Sequence, residues 1–226
     1  MPEWDSPSQS NDILNSYSPT SVLSKLGQPV MYVVRHGNVK ADSQEKIRGL
    51  INPDLDDKGE KQAQEIADFF ADIQVSRVAV DDLNRTRQTA MPLIEAKNIP
   101  LDVDTDLRSW DLGDIEGEPI EDHEEDIKQF KNNPEVEPVA GQSWGDFSQQ
   151  ATNAFRRYLR ISMEGLPVVV ITHGSFIQVI LKMLGDDVGE GYHEIPVEPG
   201  GIIAITLDRN GFHPQILTGE VQSQDE

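Results

Sequence analysis

The sequence predicts an α/β protein built as a three-layer α/β/α sandwich, with a mostly parallel central sheet and an antiparallel edge. Three observations lead to this fold. Apolar, β-branched segments of strand length recur along the chain. Most of them are separated by segments whose apolar residues recur at helical spacing. The last two strand-like segments are joined only by Arg209-Asn210-Gly211, and an Asn-Gly pair is typical of a hairpin turn.

The first half of the chain supplies two strand-helix pairs. PVMYVVR (29–35) predicts a strand, and residues 56–73 predict a helix because apolar residues recur at helical spacing after an acidic start. SRVAVD (76–81) predicts a second strand, which is followed by a helix over 84–97. The acidic, proline-containing stretch 121–139 predicts one short helix and an irregular loop.

The second half supplies a longer helix, a third strand-helix pair and the hairpin. Residues 144–161 predict a helix with one apolar side, and LPVVVITHG (166–174) predicts a strand. The next helix, SFIQVILKMLG (175–185), ends at its glycine. GGIIAITLD (200–208) and FHPQILTG (212–219) predict the two hairpin strands.

The chain ends differ in composition from the rest. Residues 1–27 are rich in Ser, Pro, Asn and Asp, and we expect an arm that is flexible or docked on the surface. Residues 28–220 are expected to form one domain, followed by a polar tail at 221–226. The N-terminus lacks the basic and apolar regions of a signal peptide, and no apolar run approaches the ~20 residues of a membrane span. We therefore expect a cytoplasmic protein.

The charge balance restricts the expected partners. Acidic side chains outnumber basic ones by 40 to 19, which gives a net charge of -21. Such a surface repels nucleic acid and anionic membranes, so neither is an expected partner. A small phosphorylated substrate would need a local cationic pocket. The chain contains no cysteine, which excludes disulfides and a thiolate nucleophile, and the sequence leaves the oligomeric state open.

Two predicted strands end in the same way. His36-Gly37 and His173-Gly174 each follow an apolar run and one polar residue. A single His-Gly pair at a strand end is commonly only a turn. Two pairs indicate a site, because ligands of open parallel sheets bind beyond the carboxyl ends of strands. Free amides beside each glycine and the N-terminus of the following helix would favour an anion such as phosphate.

A third segment, DDLNRTRQTAMPL (81–93), also follows a strand and opens a helix. Arg85 and Arg87 are two residues apart and point in different directions on a helix, so at most one is expected to face the crevice. Standing alone, this segment would be interpreted as a solvated helix start with surface arginines.

Together these segments resemble the histidine phosphatase superfamily, which has the phosphoglycerate-mutase-like fold. The resemblance covers roughly residues 29–208 and is far more specific than any single motif. The main matches are Arg35-His36-Gly37, Leu83-x-Arg85-x-x-x-Thr89-Ala90 and Thr172-His173-Gly174. Supporting matches are Asn52-Pro53-Asp54-Leu55, Lys58-Gly59, Gln62-Ala63, Leu112-Gly113-Asp114-x-Glu116-Gly117 and Gly141-Gln142-Ser143.

The resemblance implies a phosphatase that needs no metal or cofactor. In it His36 would become a phosphohistidine that water hydrolyses, while Arg35, Arg85, His173 and Gly174 hold the phosphoryl group. Elementary chemistry is consistent with these roles. An imidazole with a pKa of about 6.5 is mostly neutral at pH 7 and is a competent nucleophile. Guanidinium forks match phosphoryl oxygens, and no His or carboxylate spacing indicates a metal site.

The chain departs from this family at the proton donor, because Ser109 stands where relatives usually carry Glu. In an extended segment Asp111 would share a face with Ser109, so Asp111 is predicted as the acid, with Asp114 and Glu116 as weaker candidates. Losing a positioned acid costs about 10²–10⁴-fold for a poor leaving group. Aryl phosphates or phosphohistidine therefore suit this site better than sugar phosphates do.

A second departure follows the first motif. Val39 and Asp42 occupy positions where relatives often have Ser or Thr and Asn, and an Asp near phosphate repels it. We expect Lys46 and Arg48 to offset this repulsion, with Arg48 as a substrate-binding residue, unless both are surface residues. His123, His193 and His213 are expected to be surface or structural and are left out of the site.

The residues after Gly117 separate a phosphatase from a mutase. Mutases of this family hold a glycerate carboxylate with an Arg-Arg pair, whereas EPIEDHEEDIKQF is strongly acidic. We therefore predict hydrolysis of phosphomonoesters or phosphoramidates. Ser109 and Asp42 keep an alternative open, which is a catalytically impaired protein that uses its phosphate pocket for binding or assembly.

Overall fold

A computed structural model describes residues 25–40, 46–186 and 197–218. The strands are β1 (Pro29–Arg35), β2 (Arg77–Val80), β3 (Leu101–Val103), β4 (Val168–Thr172), β5 (Ile202–Asp208) and β6 (Gly211–Thr218). The helices are α1 (Asp57–Phe69), α2 (Asn84–Lys97), α3 (Glu124–Asn132), α4 (Trp144–Glu164) and α5 (Gly174–Met183). Short 3-10 helices occupy Thr105–Leu107, Gly113–Ile115 and Ile120–Asp122.

The six strands form one sheet in the order β3-β2-β4-β1-β5-β6. The first four strands of this order are parallel, with β4 between β2 and β1. β5 pairs antiparallel with β1, and β6 pairs antiparallel with β5. The mostly parallel sheet with an antiparallel edge is thus confirmed.

Helices cover both faces of this sheet. Met31 and Val33 of β1 belong to the core that contains the buried residues of α4 and α5. Tyr32 and Val34 belong to the core that contains those of α1 and α2. Because successive side chains of a strand point to opposite faces, a strand covered on both sides needs an unbroken apolar run. This requirement explains the run before Arg35.

Three elements differ from the sequence-based prediction. β3 was not predicted because it is a three-residue edge strand, and its central Asp102 is paired with Arg77 at 3.0 Å. α4 continues to Glu164, since Ser162 and Met163 are still buried. The helix predicted over 56–73 is shorter and ends at Phe69. The hairpin turn is confirmed, with Asp208 Oδ1 accepting a hydrogen bond from Asn210 N at 2.6 Å.

Only part of the predicted chain ends falls within the described residues. Residues 1–24 of the expected arm, the tail at 221–226, Asp42 and His193 lie outside them. Leu26, near the end of the arm, packs against the core on the α4 and α5 side, and Gly27 N donates to Leu207 O at 2.8 Å. Within the described part of the chain, no helix is both long and apolar enough to cross a membrane.

Candidate active site

Neighbouring parallel strands bring the two His-Gly pairs together. β1 and β4 pair in register up to Arg35 and Thr172, and His36 N donates to Thr172 O at 2.9 Å. The rings of His36 and His173 lie 5.2 Å apart, centroid to centroid, and both residues are buried. The prediction that the two histidines meet at one crevice is confirmed.

Gly37 is required by close packing rather than by its own dihedral angles. A Cβ atom at this position would lie 2.8 Å from Gly59 O, at the start of α1. Gly37 N donates to Thr89 Oγ1 at 2.9 Å, which ties the end of β1 to α2. Gly37, Gly59 and Thr89, which match the family motifs, therefore fix the backbone that carries His36.

His36 is held in one neutral form. Its Nδ1 lies 2.7 Å from Gly37 O, and because a carbonyl oxygen only accepts, Nδ1 carries the proton. The pKa of His36 lies well below its usual value of 6.5 because of burial first, and then because of the charge of Arg85 and other nearby cationic groups. The neutral ring therefore has its unprotonated lone pair on Nε2, where it can act as a nucleophile.

His173 contacts one charged side chain at each ring nitrogen. Arg85 Nε donates to Nδ1 at 3.1 Å, and Nε2 contacts Asp81 Oδ2. Burial, together with Arg85, lowers the pKa of His173 to about 4, although Asp81 opposes the shift. His173 is therefore a neutral imidazole that donates to Asp81 and accepts from Arg85.

Arg85 is the arginine of its helix that faces the crevice. It is buried, whereas Arg87 is exposed, as their spacing predicted. Arg85 Nη1 donates to Ile51 O at 2.6 Å and Nη2 donates to Gly49 O at 2.9 Å. Together with the Nε contact to His173, these bonds fix the guanidinium plane from three sides.

Glu116 shapes the loop that supports Arg85. Its Oε1 accepts hydrogen bonds from Leu50 N at 2.9 Å and from Leu112 N at 3.1 Å. Gly49 has a φ of 46°, and a Cβ there would overlap the Glu116 carboxylate. Glu116, a weaker candidate for the proton donor, therefore has a structural role in this loop.

The histidines open onto a solvent-accessible cleft. Four cationic side chains line it, and none of the described lining residues is acidic. The basic members are Arg35, Arg48, Arg85 and Lys131, and the others are His36, Ser109, Trp110, Leu112, His173, Gly174, Ser175 and Gln178. This cationic cleft in a chain of net charge -21 is suited to a small anion.

The cleft includes every predicted binding residue but not the predicted acid. His173 lines it with both ring nitrogens already engaged, by Arg85 and by Asp81, so its expected hydrogen bond to phosphate is replaced by these contacts. Arg35, Arg48 and Gly174 line it along with the histidines, whereas Asp111 does not. Asp111 Oδ1 accepts from Gly113 N at 3.0 Å, which directs the carboxylate to the following turn. Ser109 lines the cleft, and its hydroxyl lies 3.2 Å from that of Ser175.

Of the histidines left out of the site, the two within the described residues do not line this cleft. His123 Nδ1 pairs with Asp126 at 2.9 Å, and His213 Nε2 pairs with Asp208 at 2.9 Å. Both interactions are surface contacts with partly exposed groups, as expected. Among the described residues, no group of three or more His, Cys, Asp or Glu is placed to hold a metal ion.

Asp81, Lys131 and Gln178 are among the residues of the site that were not predicted from the sequence. Asp81 directly follows β2, so its place at the carboxyl end of a parallel strand was an available signal. No sequence signal identified Lys131 or Gln178, because they lie on helices that are far apart in the chain. Their side chains meet through a 2.7 Å hydrogen bond. The Lys131 ammonium also lies 5.0 Å from the centre of the Trp144 ring.

Comparison with known proteins identifies the family. Residues 31–218 match the model of the histidine phosphatase superfamily, branch 1. Phosphoglycerate mutase-like protein 4 of Arabidopsis thaliana is 36% identical over 159 residues, which cover 66% of this chain and 68% of that protein.

Solved structures share the fold at low sequence identity. The alpha-ribazole phosphatase of Shigella flexneri has a TM-score of 0.67 and 19% identity, covering 86% of this chain and 99% of that one. The phosphoglycerate mutase of Bacillus anthracis has a TM-score of 0.68 and 18% identity, covering 83% and 91%. The superfamily thus includes phosphatases and mutases that act on phosphate esters. Because the family model spans most of the sequence, this chain belongs to the histidine phosphatase superfamily.

Proposed function

We propose that the protein is a phosphatase that hydrolyses phosphomonoesters or phosphoramidates through a phosphohistidine at His36. The observation that carries this proposal is the contact between His36 Nδ1 and Gly37 O at 2.7 Å. Because a carbonyl oxygen only accepts, Nδ1 carries the proton, and the lone pair of Nε2 is available for attack at phosphorus. The cationic lining of the cleft would neutralise the charge that spreads over the phosphoryl oxygens.

The reaction would proceed in two displacements. In the first, Nε2 of His36 forms a bond to phosphorus while the bond from phosphorus to the leaving group breaks. In the second, a water oxygen attacks phosphorus, the N–P bond breaks, and its electron pair returns to Nε2. The water gives up a proton to solvent, and inorganic phosphate leaves. Arg35, Arg48 and Arg85 would hold the phosphoryl oxygens through both steps.

The lining of the cleft favours substrates with easy leaving groups. An aryl oxide can leave without a proton, and a phosphoramidate nitrogen can be protonated by solvent before it leaves. An alkoxide needs a positioned acid, and no carboxyl group is found among the described lining residues. Asp111 remains the candidate acid because of its sequence position. Its carboxylate contacts Gly113 N, so its role as proton donor needs a test of its own.

A binding or assembly role is the second candidate function. The observation that favours it is Ser109, which lines the cleft at the position where relatives usually carry the acid. A serine hydroxyl is a poor proton donor at neutral pH, so the pocket could hold phosphate without turning it over. The two candidates share the phosphate pocket and differ in whether a bound phosphoryl group is transferred to His36.

Hydrolysis of p-nitrophenyl phosphate by the wild type, His36→Ala and His213→Ala separates the two candidates. His213 is half-exposed and paired with Asp208, so it provides a matched His→Ala control. If the protein is a phosphatase, activity should vanish in His36→Ala and be retained in His213→Ala. Equal background rates for all three proteins, with phosphate binding retained, would favour the binding role.

A further inference from the structure

Asp81 is a carboxylate that the proposed reaction does not yet explain. It is fully enclosed, and it is the only acidic residue among the described residues that are buried. Burying a carboxylate costs several kcal/mol of lost hydration unless donors compensate it. The adjacent Asp82 is partly exposed and forms an ion pair with Arg108 at 2.6 Å, so position 81 is not simply part of an acidic surface.

The two oxygens of Asp81 contact different parts of the site. Oδ1 accepts from Leu83 N at 2.9 Å and from the Thr86 hydroxyl, so it shapes the turn that leads into α2 and Arg85. Oδ2 contacts Nε2 of His173. One carboxylate thus joins the backbone before Arg85 to the ring that Arg85 contacts.

The chemistry of the donors fixes the tautomer of His173. A guanidinium can only donate, so the Arg85 Nε contact at 3.1 Å requires Nδ1 of His173 to be unprotonated. The single proton of the neutral ring is therefore on Nε2, from which it is donated to Asp81. The opposite tautomer would place two donors against each other at Arg85 and leave Asp81 without this donor.

We propose that Asp81 is a positioning residue of the phosphate site, which fixes His173 in the tautomer that accepts from Arg85 and thereby orients the Arg85 fork towards the phosphoryl group. Arg85 lines the cleft, and there its guanidinium would contact the phosphoryl oxygens. This inference rests on the proposed function in taking phosphate as the ligand. It assigns no bond-making role to Asp81.

Asparagine at position 81 is the informative substitution. The native carboxylate accepts hydrogen bonds on both oxygens, whereas an amide offers one acceptor and one donor of nearly the same shape. An amide nitrogen would therefore face either Leu83 N–H or the Nε2–H of His173. In the second orientation the amide nitrogen and Nε2–H would be two donors facing each other unless His173 changed tautomer. That change would disrupt the contact with Arg85.

The experiment compares Asp81→Asn with Asp82→Asn, the same substitution one residue along. Three quantities are measured: the affinity for inorganic phosphate, kcat/KM for p-nitrophenyl phosphate, and the ¹⁵N shifts of the His173 ring. We expect Asp81→Asn to lose about 10–100-fold in affinity and kcat/KM, as for other residues that orient a ligating side chain. We expect Asp82→Asn to stay within about 2-fold, as for a surface charge pair.

Three results would overturn the inference. Wild-type ¹⁵N shifts of an Nδ1–H tautomer would contradict it directly, even if Asp81→Asn failed to fold. Asp81→Asn with native affinity and native His173 shifts would contradict it as well. In a His173→Ala background, Asp81→Asn should cost little more, so a full additive loss would show that Asp81 does not act through this ring.

Failure of the proposed function gives a different pattern. If the wild type binds phosphate but does not hydrolyse the aryl ester, hydrolysis at His36 is ruled out for that substrate. The affinity and ¹⁵N measurements still decide the role of Asp81, because neither depends on turnover.

Discussion

Arg85 Nε lies 3.1 Å from Nδ1 of His173, so a buried guanidinium meets the unprotonated nitrogen of a neutral imidazole. This contact joins the second His-Gly strand to the helix that follows β2. It also places a permanent positive charge beside both histidines, since Arg85 contributes to the low pKa of His36 and of His173.

Arg85 and Arg87 form a matched pair for testing phosphate binding. We expect Arg85→Gln to lower kcat/KM for an aryl phosphate by about 10²–10³-fold, the range for loss of one preorganised donor. Arg87 is exposed on the same helix, so Arg87→Gln should change the rate less than about 2-fold. Steady-state kinetics and the affinity for inorganic phosphate test both, and equal losses in the two variants would contradict the assignment.

The low pKa of His36 predicts how activity depends on pH. The neutral ring is the nucleophile, and a lowered pKa keeps it neutral as the pH falls through 6.5. With rates expressed per substrate dianion, kcat/KM should therefore stay flat through 6.5 and fall only at a lower pH. Arg48→Met removes one of the charges that depress this pKa, so its acidic limb should move upward. If the acidic limb of the wild-type kcat/KM profile were centred near pH 6.5, the claim that nearby cations keep His36 neutral would be contradicted.

Ser109→Glu tests whether a missing acid limits the range of substrates. Ser109 lines the cleft, so a carboxyl group there could protonate a leaving alkoxide. We expect the ratio of kcat/KM for an alkyl phosphate to that for p-nitrophenyl phosphate to rise by about 10²-fold or more. Ser109→Gln, which has the same size but no acid, is the control. A similar rise in both variants would point to a change in cleft shape instead.

Asp111→Asn tests the acid that the sequence predicts. If Asp111 donates the proton, the substitution should lower the rate for alkyl phosphates and leave aryl phosphates nearly unchanged, because only the alkoxide needs the proton. Asp122→Asn, at an exposed position outside the cleft, is the control for charge alone. Unchanged rates and pH profiles for both substrate classes in Asp111→Asn would remove this residue from the mechanism.

The strand ends were predictable because their physics is local. An apolar run covered on both faces identifies β1 and β4, and parallel pairing brings their carboxyl ends together. His36 and His173 could therefore be placed in one crevice from the sequence. β3 could not be recognised, since a three-residue edge strand with Asp102 at its centre has no apolar run.

Side-chain direction in turns was not predictable. Asp111 would share a face with Ser109 only in an extended segment, whereas its carboxylate accepts from Gly113 N, and Gly113 has a φ of 59°. Lys131 reaches the cleft only because α3 packs near α5, where Gln178 accepts from it. Both outcomes depend on tertiary contacts that leave no pattern in the neighbouring sequence.

The proposed reaction requires a covalent bond between phosphorus and His36. Brief mixing with excess p-nitrophenyl phosphate, followed by alkaline quench and peptide mass spectrometry, would detect it. We predict a phosphoryl group on the peptide that contains His36, absent from the His36→Ala protein and present in the His213→Ala protein. Active enzyme that turns over the ester with no adduct on His36 under rapid quench, or with an adduct on another residue, would contradict the account.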